Sequence, residues 1–301
     1  MKLSANHKGA LFMALAMASF NVNDALVKSV TGVMNPGQIM FVRGLLTSAM
    51  IIALAWPTRG MFWRRVLPDR KVLVRAAAEV GAALTYIVAL GLLPLANTAA
   101  ILLSLPLAVT LGAVLFLGET VGWRRWLAII SGFAGVLIVI RPGPEGFSIG
   151  AAFVIAAVVF AATRDLLTRK IDPEIPAALI TVVTALSITA FGALMIAPLG
   201  GWQPIEWHIF LRLAVSSVAL LIGYQCIVFA MRAGDISFVA PLRYTSLIWA
   251  IGIGIVFFGE IPDFWMCVGV AVIVASGLYA FNRENRRRAK PIAQTSAIEG
   301  P

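Results

Sequence analysis

Ten uninterrupted apolar runs alternate along the chain with short polar connections. They fall near 9–30, 36–56, 72–92, 96–117, 124–140, 149–168, 177–197, 209–231, 237–258 and 265–282. Each is close to the roughly 20 apolar residues that one helix needs to cross a bilayer. No connection is long enough to hold a separate soluble domain. The pattern predicts an all-α integral membrane protein with ten transmembrane helices.

The pattern also repeats. Asp24, Leu26 and Lys28 close the first run, and Asp165, Leu167 and Arg169 follow at an offset of 141 residues. Leu115-Phe116-Leu117-Gly118-Glu119 becomes Val256-Phe257-Phe258-Gly259-Glu260 at the same offset. Two distant anchors with one offset imply duplication of a whole half, an organisation typical of secondary transporters. Five spans per half is an odd number, so the second half enters the membrane in the opposite sense. The expected organisation is two inverted five-helix repeats over 9–141 and 149–282. A short cytoplasmic start covers 1–8, and a basic cytoplasmic tail covers 283–301, unstructured from Pro291 onward.

Charge tests the inversion independently, because cytoplasmic loops collect Lys and Arg. With the N-terminus inside, the inner segments hold Lys2, Lys8, Arg59, Arg64, Arg65, Arg70, Lys71, Arg124, Arg125, Arg169, Lys170, Arg232, Arg283, Arg286, Arg287, Arg288 and Lys290, whereas the outer loops hold Arg141 alone. Both termini are therefore expected in the cytoplasm. Hydrophobic residues make up 60% of the chain and charged ones 13%, which is far from a soluble domain. The net charge of +10 then reads as topology and contact with anionic headgroups, with no nucleic-acid partner. Lys2 and Lys8 before an apolar stretch resemble a signal peptide. Asp24, Leu26 and Lys28 belong to the repeat, however, so this segment is read as an uncleaved first helix.

The chain resembles the EamA-type branch of the drug/metabolite transporter superfamily. The features that carry the likeness are the two inverted halves, Gly-Glu at 118–119 and 259–260, Gly122-Trp123-Arg124-Arg125-Trp126, Gly132-Phe133-Ala134-Gly135-Val136 and Arg141-Pro142-Gly143. Asp24 to Lys28, Pro36-Gly37-Gln38-Ile39 and Arg43 resemble members that import S-adenosylmethionine or riboflavin. The resemblance implies alternating access around a cavity lined by spans 1–4 and 6–9, with spans 5 and 10 outside. It implies uptake of a small metabolite across a bacterial inner membrane. Related branches export amino acids or other metabolites, and that alternative stays open, as does a non-transporting membrane scaffold. A homodimer is also left open.

Polar residues inside the spans are the candidate site, since a charge at mid-membrane costs several kcal/mol and turns to a cavity or a partner. Asn21, Asn23, Asp24, Arg43, Glu79, Tyr86, Arg164, Asp165, Tyr224, Gln225, Arg243, Tyr244 and Trp249 qualify. Asp24 and Lys28, Arg75 and Glu79, and Asp165 and Arg169 each stand one helical turn apart and are expected to neutralise one another. Arg43 and Arg243 have no such neighbour. Their planar forks suit a carboxylate or phosphate, and Tyr86, Tyr224, Tyr244 and Trp249 would wall a flat solute. Asn23, Ser104 and Gln225 complete the expected substrate-binding set, with Glu79 as the coupling carboxylate.

Glu119 and Glu260 are expected as turn and cap residues at the start of the helix that follows each. Gly118 and Gly259 supply the turn. Pro106 beside Ser104, and Pro241, predict kinks in the fourth and ninth spans, unequal because the prolines do not coincide under the offset. Cys226 and Cys267 read as packing residues. Gly146-Phe147-Ser148-Ile149-Gly150 matches a hydrolase elbow, but it precedes a membrane helix with no strand before it, so the match is taken as chance. No phosphate loop, His-Glu-x-x-His motif or metal-ligand spacing occurs. No enzymatic activity, cofactor or metal is expected.

Overall fold

In the computed structural model every expected span is helical, and two spans are broken. Residues 5–55, 69–143, 148–172, 174–233 and 235–298 are described. Lys2, Arg59, Arg64, Arg65, Gly146 and Phe147 lie outside them. The helices are α1 (Ala5–Lys28), α2 (Pro36–Ala55), α3 (Arg70–Leu92), α4 (Leu95–Leu102), α5 (Leu105–Leu117), α6 (Trp123–Ile140), α7 (Ile149–Thr168), α8 (Ala177–Ile196), α9 (Trp207–Ala233), α10 (Ile236–Val239), α11 (Ser246–Phe258) and α12 (Phe264–Ile298). A 3₁₀ turn over Ala240–Thr245 joins α10 to α11. Among the described residues these make ten helical spans long and apolar enough to cross a membrane. The last helix continues to Ile298, so residues 291–298, expected as an unstructured end, extend it.

The fourth span is not one kinked helix. It stops at Leu102 and restarts at Leu105, with Pro106 in the first turn of α5, where its missing N–H costs nothing. At the break the Ser104 hydroxyl and its own N–H both donate to the Ile101 carbonyl, at 2.7 and 3.0 Å. The ninth span breaks at the same repeat position, since 105 + 141 = 246 and 117 + 141 = 258 map α5 onto α11. Only the lead-in differs, α-helical in one half and 3₁₀ in the other. The breaks therefore coincide in place and differ in form, which the misaligned prolines alone do not reveal.

Packing follows the inverted repeat. The principal partners are α1 with α9, α3 with α7, α2 with α8, and α6 with α12. The first two pairs exchange under the repeat, and the last two map onto themselves. At the α2–α8 crossing, Ser48 Oγ lies 3.2 Å from Thr189 Oγ1, its own mate 141 residues away. This contact marks the pseudo-two-fold axis. Gly192 permits the approach, because a Cβ there would lie 2.6 Å from the Phe41 nitrogen. In α1, Met13, Ala16 and Met17 bury against Cys226, Ala230 and Val239. Cys267 is exposed, so the expected packing role holds for Cys226 alone.

Gly118 and Gly259 end their helices in the left-handed region, at φ 67° and 66°. Ser148 caps α7 by accepting the Ala151 N–H at 3.2 Å, which gives the serine of the elbow-like motif a structural task. Arg141 ends α6 at φ 47° and its guanidinium reaches Asp263. Asp263 caps α12 through the Met266 N–H at 2.8 Å. That amide, and beyond it Arg141, hold the Asp263 carboxyl below the usual carboxylate range. On the same face, Gln38 is fully buried and exchanges two hydrogen bonds with the Gln203 backbone, at 2.7 and 2.9 Å.

Candidate functional site

The in-span charges converge, but on partners from other helices. Asp24 accepts the Tyr86 hydroxyl at 2.7 Å and the Asn23 amide at 2.8 Å. Arg43 stands within electrostatic reach of Asp24, Tyr86 and Tyr224, yet makes no hydrogen bond among the described residues. Glu79 takes one nitrogen of Arg164 on both oxygens, at 3.0 and 3.1 Å. Arg164 Nε also donates to Asp165 at 2.8 Å. Arg75 donates to the hydroxyls of Thr168 at 2.9 Å and Thr184 at 2.7 Å. Tyr224 joins the two groups, since Glu79, Arg164, Arg43 and Arg75 all lie within its electrostatic reach. Arg243 reaches Asp165 and Tyr244 in the same sense. Six helices and the 3₁₀ turn thus bring these charges within electrostatic reach of one another, and no described residue of α6 or α12 joins them.

All three expected one-turn pairs are replaced. Glu79 pairs with Arg164 instead of Arg75, Arg169 pairs with Glu119 instead of Asp165, and Lys28 pairs with Glu260 instead of Asp24. A one-turn pair stabilises a helix by only about 0.2–0.5 kcal/mol. The more enclosed ions, Lys28 and Glu79, gain more from a partner brought up by another part of the fold, where water screens less.

Two of these replacements are repeat mates. Lys28 Nζ lies 3.1 Å from Glu260, and Arg169 Nη1 lies 3.2 Å from Glu119 on the opposite face. The first pair is closed in. Its side chains are 12% and 18% exposed, against 53% and 43% for the second. Lys28 also donates to the Leu90 and Leu93 carbonyls at the end of α3, and Glu260 accepts the Leu95 N–H at 2.7 Å. Glu260 therefore caps α4, not the helix that follows it. The expected capping of the following helix fails for both glutamates, because each stands four residues before it, while both do lie in the turn, their N–H groups closing onto the Ala113 and Gly254 carbonyls. Gly122, without a side-chain cap bond, and Asp263 occupy those capping positions.

Among the remaining candidates, Asn21 binds the Met17 carbonyl and the Ser246 hydroxyl, both at 2.8 Å. Tyr224 and Trp249 are half exposed, and Gln225 is exposed on α9. Tyr224 meets Phe20 edge-on at 5.3 Å. The Tyr244 hydroxyl packs against Gly277 of α12, where an added Cβ would overlap it. Thr47, Thr168, Thr184 and Phe20 join the site without having been singled out. Thr184 was findable, as it is the repeat mate of Arg43. Buried and unpartnered are Asn21 Oδ1, Asn23 Oδ1, Arg43 Nε and Thr47 Oγ1. No cluster of metal-ligating side chains occurs among the described residues.

A network of this kind between inverted repeats is that of a membrane carrier, and comparison agrees. The EamA-like transporter family matches twice, over residues 7–141 and 148–281. The chain belongs to the EamA-like transporter family. A riboflavin transporter of Vibrio cholerae is 30% identical over 203 residues, which cover 66% of this chain and 67% of that protein. A pseudopaline exporter of Pseudomonas aeruginosa is 26% identical over 274 residues, 89% of this chain and 94% of its own. An S-adenosylmethionine uptake transporter of Rickettsia bellii is 23% identical over 288 residues, 94% and 97%. A crystal structure shares the fold at a TM-score of 0.63 and 18% identity, covering 92% of this chain and 98% of its own. This EamA-family chain is a multi-pass membrane transporter for a small metabolite.

Proposed function

We propose that this EamA-family carrier takes up a flat-ringed polar metabolite of the riboflavin or S-adenosylmethionine kind across the bacterial inner membrane. The observation that carries the reading is Arg43, a partly buried side chain whose enclosed Nε has no acceptor among the described residues, within electrostatic reach of Asp24, Tyr86 and Tyr224. Arg43 and Arg243 meet the solute's anionic or carbonyl edge, and Tyr86, Tyr224 and Trp249 meet its ring. Asn23 and Gln225 offer it hydrogen bonds, while Ser104 and Tyr244 shape the surrounding helices. The two halves rock about the α2–α8 crossing. The tight Lys28–Glu260 pair and its looser mate support one closed and one opening face. Both termini face the cytoplasm, as the Lys and Arg of the even-numbered connections favour. The face of Lys28 and Glu260 is then external.

Export is the second reading, favoured by the long alignment with the pseudopaline exporter. Purified full-length chain in oriented proteoliposomes separates the two. Labelled riboflavin or S-adenosylmethionine is expected to enter through the face of Lys28 and Glu260. Flux only in the opposite sense supports export, and no flux of either compound or of an amino-acid panel overturns the carrier reading.

A further inference from the structure

The network has a fixed sign. It holds Arg43, Arg75, Arg164 and Arg243 against Asp24, Glu79 and Asp165, so 4 − 3 gives a net charge of +1. Arg212 near the start of α9 is exposed and stands apart from it. Arginine stays protonated inside proteins. Protonating any of the three carboxylates therefore only raises the total, and no ordinary protonation state makes the group neutral. The excess is also localised. Arg164 is held by Glu79 and Asp165, and Arg75 by two threonine hydroxyls. Arg43 and Arg243 have no hydrogen bond among the described residues, and Arg43 Nε is a buried donor with no acceptor. A donor left so in a membrane interior calls for an oxygen that something else brings.

We infer that the carrier binds its solute as an anion, with a carboxylate or phosphate on the Arg43 fork and Arg243 as a further cation of the same charged group. This rests on the carrier reading above, keeps its flat-ringed solute and changes the charge of the cargo, because it favours an acid over neutral riboflavin and cationic S-adenosylmethionine. Two parallel N–H···O bonds fit either acid group. The unpartnered Thr47 hydroxyl, one turn from Arg43 on α2, supplies a third donor. Asn23 Oδ1 is an unpartnered acceptor for an N–H elsewhere on the solute. The empty site retains its surplus charge, so a second anion returning through the carrier would ease the return step.

Matched acid and neutral probes test the sign. Binding to the purified full chain would be measured with riboflavin 5′-phosphate against riboflavin, nicotinate against nicotinamide, and S-adenosylmethionine as the cationic arm. At least one acid is expected to bind with a dissociation constant about tenfold lower than its neutral partner, as one charge-assisted hydrogen bond would give. The phosphate and carboxylate arms show which acid group is used. The preference should vanish in Arg43→Gln and weaken but persist in Arg43→Lys, which serves where the glutamine variant does not fold. Equal binding within both pairs, tighter binding of S-adenosylmethionine than of either acid, or a preference untouched by both variants overturns the inference. Flux on the same samples keeps the two readings apart. Flux without anion preference refutes the charge assignment alone, and anion binding without flux refutes the carrier alone.

Discussion

Glu79 ties two helices that the repeat brings together. Its carboxylate holds Arg164 of α7 from α3, with Arg75, Asp165 and Tyr224 around it. As the proposed coupling residue, it would release α7 when protonated, leaving Arg164 on Asp165. In Glu79→Gln, initial uptake rates measured from pH 5 to pH 8 are expected to lose their pH dependence. The cost in stability should stay below the roughly 3–5 kcal/mol of an orphaned buried charge, because Asp165 still neutralises Arg164. An unchanged pH profile rules Glu79 out and favours exchange or facilitated diffusion. At this scale the sequence identified the charged residues but not their partners. Spacing along one helix finds only one-turn neighbours, while Lys28, Arg164 and Arg169 find acids brought up by other helices. Which helices are neighbours is a property of packing.

Between elements, the α2–α8 crossing depends on close backbone approach. Gly192→Ala drives a Cβ against the Phe41 nitrogen and the Gly37 carbonyl, both main-chain atoms that cannot swing aside. Thermal unfolding in detergent is expected to show a loss of about 1–3 kcal/mol, the range for overpacking. Gly252→Ala on α11 meets nothing within 4 Å and should be neutral or slightly stabilising. If both variants melt alike, the crossing is not the pivot proposed here. The spans were legible because a bilayer demands one length and one composition from each. The breaks were half legible. Pro106 and Pro241 pointed to the right two spans, but a proline in the first turn of a helix marks its restart and no kink. Only the joined positions of α5 and α11 show that both halves break at the same place.

Over the whole molecule, an inverted repeat makes two faces from one design and lets them differ. The offset of 141 residues relates Lys28 to Arg169 and Glu119 to Glu260, yet the Lys28–Glu260 bridge is enclosed and the Arg169–Glu119 bridge half exposed. That difference is invisible in the sequence, because the repeat fixes which residues correspond and not which face is shut. Site chemistry departs from the symmetry in the same way: Arg43 corresponds to Thr184, and Asn23 to Arg164. The central claim is that the faces open in turn, and spin-label distances measure it directly. One label pair at Leu92 and Ile261 reports the Lys28–Glu260 face, and one at Leu115 and Thr168 reports the other, with both native cysteines replaced. Glu260→Gln removes the closing charge and the α4 cap. The expected result is a longer distance across the first face and a shorter one across the second; lengthening at both faces, or no change at either, would contradict alternating access.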